Sequence, residues 1–169
     1  YSEQLIAASQ KLKQLNGVYS EQVQSAGNNS QFNQQVADNA EKLRIQMEAL
    51  ACQNIFLQAE AEDINLVWSF MHQDETLLYP FDQRKQEVLK LSRLCTIRIA
   101  PSREIYQLAQ SFQQMQGLSS KDAVHVACGD YIKANFFLTC DNNLIKKSNK
   151  LNLAMYIMNP IDYIRQEEI

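Results

Sequence analysis

Between residues 63 and 164 short apolar runs take turns with helical patterns, and that alternation constrains the fold more than any other feature. "DINLVWS" (63–69) reads as a strand, bounded and β-branched in the way strands are. "HQDETLLYPFDQRKQEVLKLSRL" (72–94) reads as helical, interrupted at Pro80, which cannot donate a backbone hydrogen bond. "CTIRIA" (95–100) is a second strand. Pro101-Ser102 then opens a helix to about Gln116, and Gly117 ends it. "SSKDAVHVACGDYIKA" (119–134) begins another helix, capped by Ser119 or Ser120. The strand "FFLTC" (136–140), a helix from "NNLIKKS" (142–148), the strand "LAMYIM" (153–158) and a short helix after Asn159-Pro160 complete the series. Strands separated by helices pair through crossovers, so the pattern predicts an α/β fold: a parallel sheet with helices on its faces.

Residues 1–50 follow a different grammar. They hold nine Gln and five Asn but no Pro or Cys, which leaves little apolar material for a core of their own. Leu5, Ala8, Leu12, Leu15 and Tyr19 recur in a three-four rhythm. Val36, Ala40, Leu43, Met47 and Leu50 repeat it after the break at "AGNNS" (26–30). Such spacing predicts amphipathic helices with a narrow seam, lying on a core or pairing with one another. The organisation expected is a helical, Gln/Asn-rich extension over 1–50 and an α/β domain over 51–169.

A formal net charge of −3, with 46% hydrophobic and 21% charged residues, describes an ordinary globular chain. Recognition of nucleic acid therefore requires a local cluster of Lys and Arg, since phosphate attraction is screened within about 8–10 Å. The four cysteines, at 52, 95, 128 and 140, lack C-x-x-C spacing and sit among apolar neighbours, which predicts reduced, buried thiols and a cytoplasmic setting. No apolar run approaches the roughly 18 residues of a membrane span.

Three acids fall at transitions between elements. Asp141 ends the strand "FFLTC", Asp122 lies in the first turn of the preceding helix, and Glu75 follows the strand "INLVWS" at the expected start of a helix. In open parallel sheets the carboxyl ends of strands collect ligands and catalytic groups. Clustered carboxylates repel unless a cation sits among them, and hard Mg²⁺ or Mn²⁺ takes such an all-oxygen environment. An ion held there polarises a phosphodiester and acidifies the attacking water. Each acid taken alone also suits a helix N-terminus, whose dipole favours negative charge.

"LSSKDAVHVACGDYIKANFFLTCDNNLIKK" (118–147) and "LNLAMYIMNPIDYI" (151–164) resemble the carboxyl-terminal half of a PIN domain, the nuclease fold of VapC-type toxins. The D-A-x-H-x-A helix, the T-x-D strand end and the N-P-x-x-[FY] ending occur in order, and "LVWSFMHQDETLLYPFDQRK" (66–85) is similar to the family's second strand and glutamate-bearing helix. The resemblance spans about residues 52–169. It implies a PIN-like α/β domain with a Mg²⁺- or Mn²⁺-dependent, RNA-cutting site. Glu75, Asp122 and Asp141 fall on acidic, metal-holding positions, and Thr139 matches the hydroxyl residue beside the last acid. It implies an RNA substrate and an antitoxin protein as partners.

PIN domains open with an apolar strand that ends in aspartate and occupies the middle of the sheet. Before residue 63 the sole aspartate is Asp38, preceded by "NQQVA", and the nearest placement of the family pattern puts Asn28 at the acid's position. Loss of that strand is expected to leave two strand pairs with nothing between them. Residues 1–50, through "KLKQLNGVYSEQV" and "NNSQFNQQVADNAEKLRIQMEAL", resemble the cytoplasmic helical tail of a gliding-motility motor protein of type IX secretion, which implies self-association or partner docking. A non-catalytic interaction module, homo-oligomeric through its helices, is the reading of a different class.

His72 and His125 are candidate ligands or bases, with sheet support the plainer role for His125, three residues beyond Asp122. Lys121, Lys146, Lys147 and Lys150 gather near the acids and suit an RNA backbone. Phe70, Tyr79 and Phe81 suit base stacking or core packing. Only four glycines occur and none forms a phosphate loop, which excludes P-loop chemistry.

Overall fold

The computed structural model describes residues 2–24 and 30–167. Asn28 lies outside the described residues, as does most of the "AGNNS" break. The chain divides into two compact units, Tyr1–Ala61 with Pro160–Ile169, and Glu62–Asn159.

The first unit is built on two long helices, α1 (Ser2–Gln24) and α2 (Ser30–Glu60). The three-four rhythm faces inward: Leu12 and Met47 are buried, while Ala8, Leu15, Tyr19, Val36, Ala40, Leu43 and Leu50 are half-buried. α2 passes residue 50 without a break, because Ala51, Ile55 and Ala59 extend the same seam to Glu60. The seam also carries polar groups. Asn54 donates to Ser9 Oγ at 3.3 Å and receives Gln58 Nε2 at 3.1 Å. Ser9 lies early in α1 and Asn54 late in α2, so the helices form an antiparallel hairpin. Buried polar contacts of this kind are satisfied in one register only, which fixes the pairing. The last helix, α8 (Pro160–Glu167), starts with proline at its first position, buries Ile161 and Ile164, and donates from Arg165 to Asn16 of α1.

The second unit contains, among the described residues, four short strands. β1 (Leu66–Ser69) pairs in parallel with β2 (Cys95–Ile99), and β3 (Phe136–Leu138) with β4 (Tyr156–Met158). The expected alternation is present: α3 (Phe70–Leu77) and α4 (Asp82–Leu91) connect β1 to β2, and α5 (Arg103–Gln116) and α6 (Ser120–Tyr131) lead to β3. α7 (Asn142–Ser148) then crosses to β4. Among the described residues the single continuous sheet expected from that alternation is not formed, and the strands form two separate two-stranded sheets.

One core nevertheless serves both pairs. Ile99 of β2 and Ile157 of β4 join Ile105 and Phe112 of α5 and Val126 of α6, with Val67 and Phe137 packed against them. Burying a side chain such as Ile105, with no exposed surface, contributes roughly 1.5–3 kcal/mol. α6 lies so close to the second sheet that a Cβ on Gly129 would stand 2.7 Å from Met155 Sδ. Local signals set the boundaries. Ser102 and Ser119 cap α5 and α6, and Gly117 ends α5 with φ at 61°. The break at Pro80 separates α3 from α4.

Candidate functional site

Asp141 stands where the opening pattern placed it, past the carboxyl end of β3. Thr139 N–H still donates to Met158 O at 3.0 Å, which extends the pairing by one residue before the chain turns. Asp141 then caps α7: its Oδ1 accepts from the backbone of Asn143 at 2.8 Å and Leu144 at 3.1 Å. Thr139 Oγ1 accepts the Asp141 N–H at 3.2 Å, so the hydroxyl and the acid form one unit. Asp122 sits in the first turn of α6, where the Ser119 hydroxyl donates to its Oδ2 at 2.6 Å and accepts its N–H at 3.2 Å. Both aspartates thus stabilise helix starts, in line with the dipole.

Glu75 departs from its expected place. α3 begins at Phe70, directly after β1, so Glu75 falls in the second half of the helix instead of its start. The dipole there disfavours a carboxylate, and side chains from α6 offset this. His125 Nε2 meets Glu75 Oε2 at 3.0 Å, and Lys121 Nζ lies 3.8 Å from Oε1. Glu75 is thereby joined to the helix that carries Asp122.

The early start of α3 has a local cause. Ser69, almost wholly buried, accepts the His72 N–H at 3.4 Å, and His72 Nδ1 accepts the Ser69 N–H at 3.1 Å, closing a capping box. Acceptance at Nδ1 puts the ring proton of neutral His72 on Nε2. The His72 ring stacks on Trp68 at 5.4 Å and tilts against His125 at 4.8 Å. His72 is exposed as a whole residue, yet its ring is flanked on two sides, and the flanking governs its acidity. Burial of the ring, then the neighbouring His125, push its pKa down to about 4, against the pull of Glu75. Cys128 of α6 is buried beside Ser69; burial raises its thiol to about 11 despite the Ser69 hydrogen bond. No disulfide forms, but of the four cysteines expected to be buried only Cys128 is; Cys52 and Cys95 are half-buried, and Cys140 is exposed just past β3.

Magnesium and manganese take carboxylate oxygens, so these residue types suit them. The placement is less complete: among the described residues no group of three or more His, Cys, Asp or Glu side chains stands close enough to hold an ion. Asp141 keeps Oδ2 and Asp122 keeps Oδ1 outside the capping bonds, while the two Glu75 oxygens face His125 and Lys121 of α6. Lys146, Lys147 and Lys150 lie exposed on and after α7, Lys147 donating to Gly117 O at 2.9 Å. Of the three aromatic candidates, Phe70 packs on the core, whereas Tyr79 and Phe81 are exposed. The capping role of His72 escaped the sequence because a capping box is signalled by Glu or Gln at that position.

No protein-family model, no curated protein and no solved structure matches the chain. Among the described residues no helix is long and apolar enough to cross a membrane.

Proposed function

We propose that residues 62–159 form the greater part of a PIN-like, metal-dependent endoribonuclease domain. The observation that carries this reading is the unit of Thr139 and Asp141 past the carboxyl end of a parallel strand, with Asp141 Oδ2 outside the helix cap. Asp141, Asp122 and Glu75 would hold Mg²⁺ or Mn²⁺. When bound, the ion supplies a polarised phosphodiester and a more acidic water. Lys121 and the α7 lysines attract the RNA backbone, and Thr139 fixes Asp141 through its N–H. A reduced, cytoplasmic setting and an antitoxin partner belong to the same reading. The test is cleavage of single-stranded RNA with Mg²⁺ or Mn²⁺, which Asp141→Asn is expected to abolish; intact RNA across a broad substrate panel would sink it.

A second reading is favoured by the division of the strands into two unjoined pairs. In that reading the α/β unit is a non-catalytic module and the α1/α2 hairpin mediates self-association. Sedimentation of the full chain over a wide concentration range tests it, and a monomer throughout would remove its support.

A further inference from the structure

Beside Glu75 the second unit opens into a cavity of about 420 Å³ between β1, α3 and α4. Its walls are Trp68, His72, Tyr79 and Val88, with Arg84 and Lys85 on the α4 side. α4 has no buried residue, so this face is open to a ligand. Tyr79 and Phe81, which the sequence suits to base stacking or core packing, are 39% and 61% exposed here. Arg84 Nη1 donates to the Tyr79 hydroxyl at 3.3 Å, which fixes the tyrosine ring at the cavity edge.

We infer that this cavity is a nucleobase subsite for single-stranded RNA, with Tyr79 as its stacking platform and Arg84 and Lys85 contacting the adjoining phosphate. An aromatic wall beside cations matches a nucleotide, which joins a flat base to an anion, better than it matches a wholly apolar segment. Lys121 adds a third cation, 3.8 Å from the cavity-lining Glu75, and offsets its charge. Glu87, on the same rim, supplies an acceptor for an exocyclic amino group of the base. The identity of the ligand rests on the ribonuclease reading, whereas the existence of a base pocket does not require cleavage.

Trp68 is the only tryptophan and lines the cavity, so its emission reports occupancy. The experiment titrates the full chain with hexaadenylate in EDTA, alongside an abasic ribose-phosphate hexamer. Saturable quenching by hexaadenylate is expected, with at least about fivefold weaker binding in Tyr79→Ala, near-normal binding in Tyr79→Phe, and weak binding of the abasic chain. Tyr79 is exposed, so these variants test binding without removing core packing. Equal binding of the abasic chain, or unchanged affinity in Tyr79→Ala, would overturn the assignment. So would an apolar dye that fills the cavity and is not displaced by hexaadenylate, which marks a protein-docking surface. Metal-dependent cleavage with unaltered Tyr79→Ala binding refutes the subsite and keeps the nuclease. Base-dependent binding lost in Tyr79→Ala, without cleavage under any metal, does the reverse.

Discussion

His125 and Glu75, fifty residues apart in sequence, meet at 3.0 Å and tie α6 to α3. Glu75 is also the acid proposed to hold metal, so the pair links stability to function. With Glu75 partly exposed, a double-mutant cycle of Glu75→Gln and His125→Ala is expected to yield a coupling of about 0.5–1 kcal/mol in urea unfolding. Additive single effects would show that the contact contributes nothing.

The His72 ring predicts an acid-sensitive α3. Its folded pKa, about 4, lies below the ordinary 6.5, so the unfolded chain binds the proton more tightly. The stabilisation associated with neutral His72 is fully present above about pH 6.5. It is lost as pH falls toward 4, where protonated Nδ1 no longer accepts the Ser69 N–H. Thermal unfolding of wild type and His72→Gln from pH 8 to 4 should show a steeper decline in wild type through that window. Parallel curves would contradict the assignment.

Asp141 has two separable roles. Asp141→Ala removes the α7 cap and should cost about 1 kcal/mol, whereas Asp141→Asn retains a good capping residue and should stay within a few tenths of wild type. Loss of metal binding in the asparagine variant at unchanged stability would isolate the charge from the cap. A large stability loss in both would show that the carboxylate charge itself is structural.

The close approach of α6 to the second sheet is tested at Gly129. Gly129→Ala is expected to destabilise by about 1–3 kcal/mol through overpacking against Met155, and the penalty should shrink in a Met155→Ala background. An equal penalty in both backgrounds would place the strain elsewhere.

Much of this fold was legible from local chemistry. Ser102, Ser119, Gly117 and Pro80 mark helix ends through caps, a left-handed residue and a missing donor, all of which act within a few positions. The seam from Ala8 to Leu50 was equally plain, since helical periodicity survives a Gln-rich composition. Glu75 was misplaced because α3 starts at once after β1, under a Ser69 and His72 box without the usual glutamate. The division into units was hidden for a different reason. α8 groups with α1 and α2 by contacts that no neighbouring residue announces, such as Arg165 with Asn16. The split of the strands into two pairs among the described residues has no single local signal, because sheet pairing joins residues far apart in sequence.

The central claim is that Asp141, Asp122 and Glu75 hold a divalent ion, and calorimetric titration of wild type and Asp141→Asn with Mn²⁺ tests it most directly. The account predicts saturable binding to wild type that disappears in Asp141→Asn. Absence of binding to either protein, or equal binding to both, would contradict it.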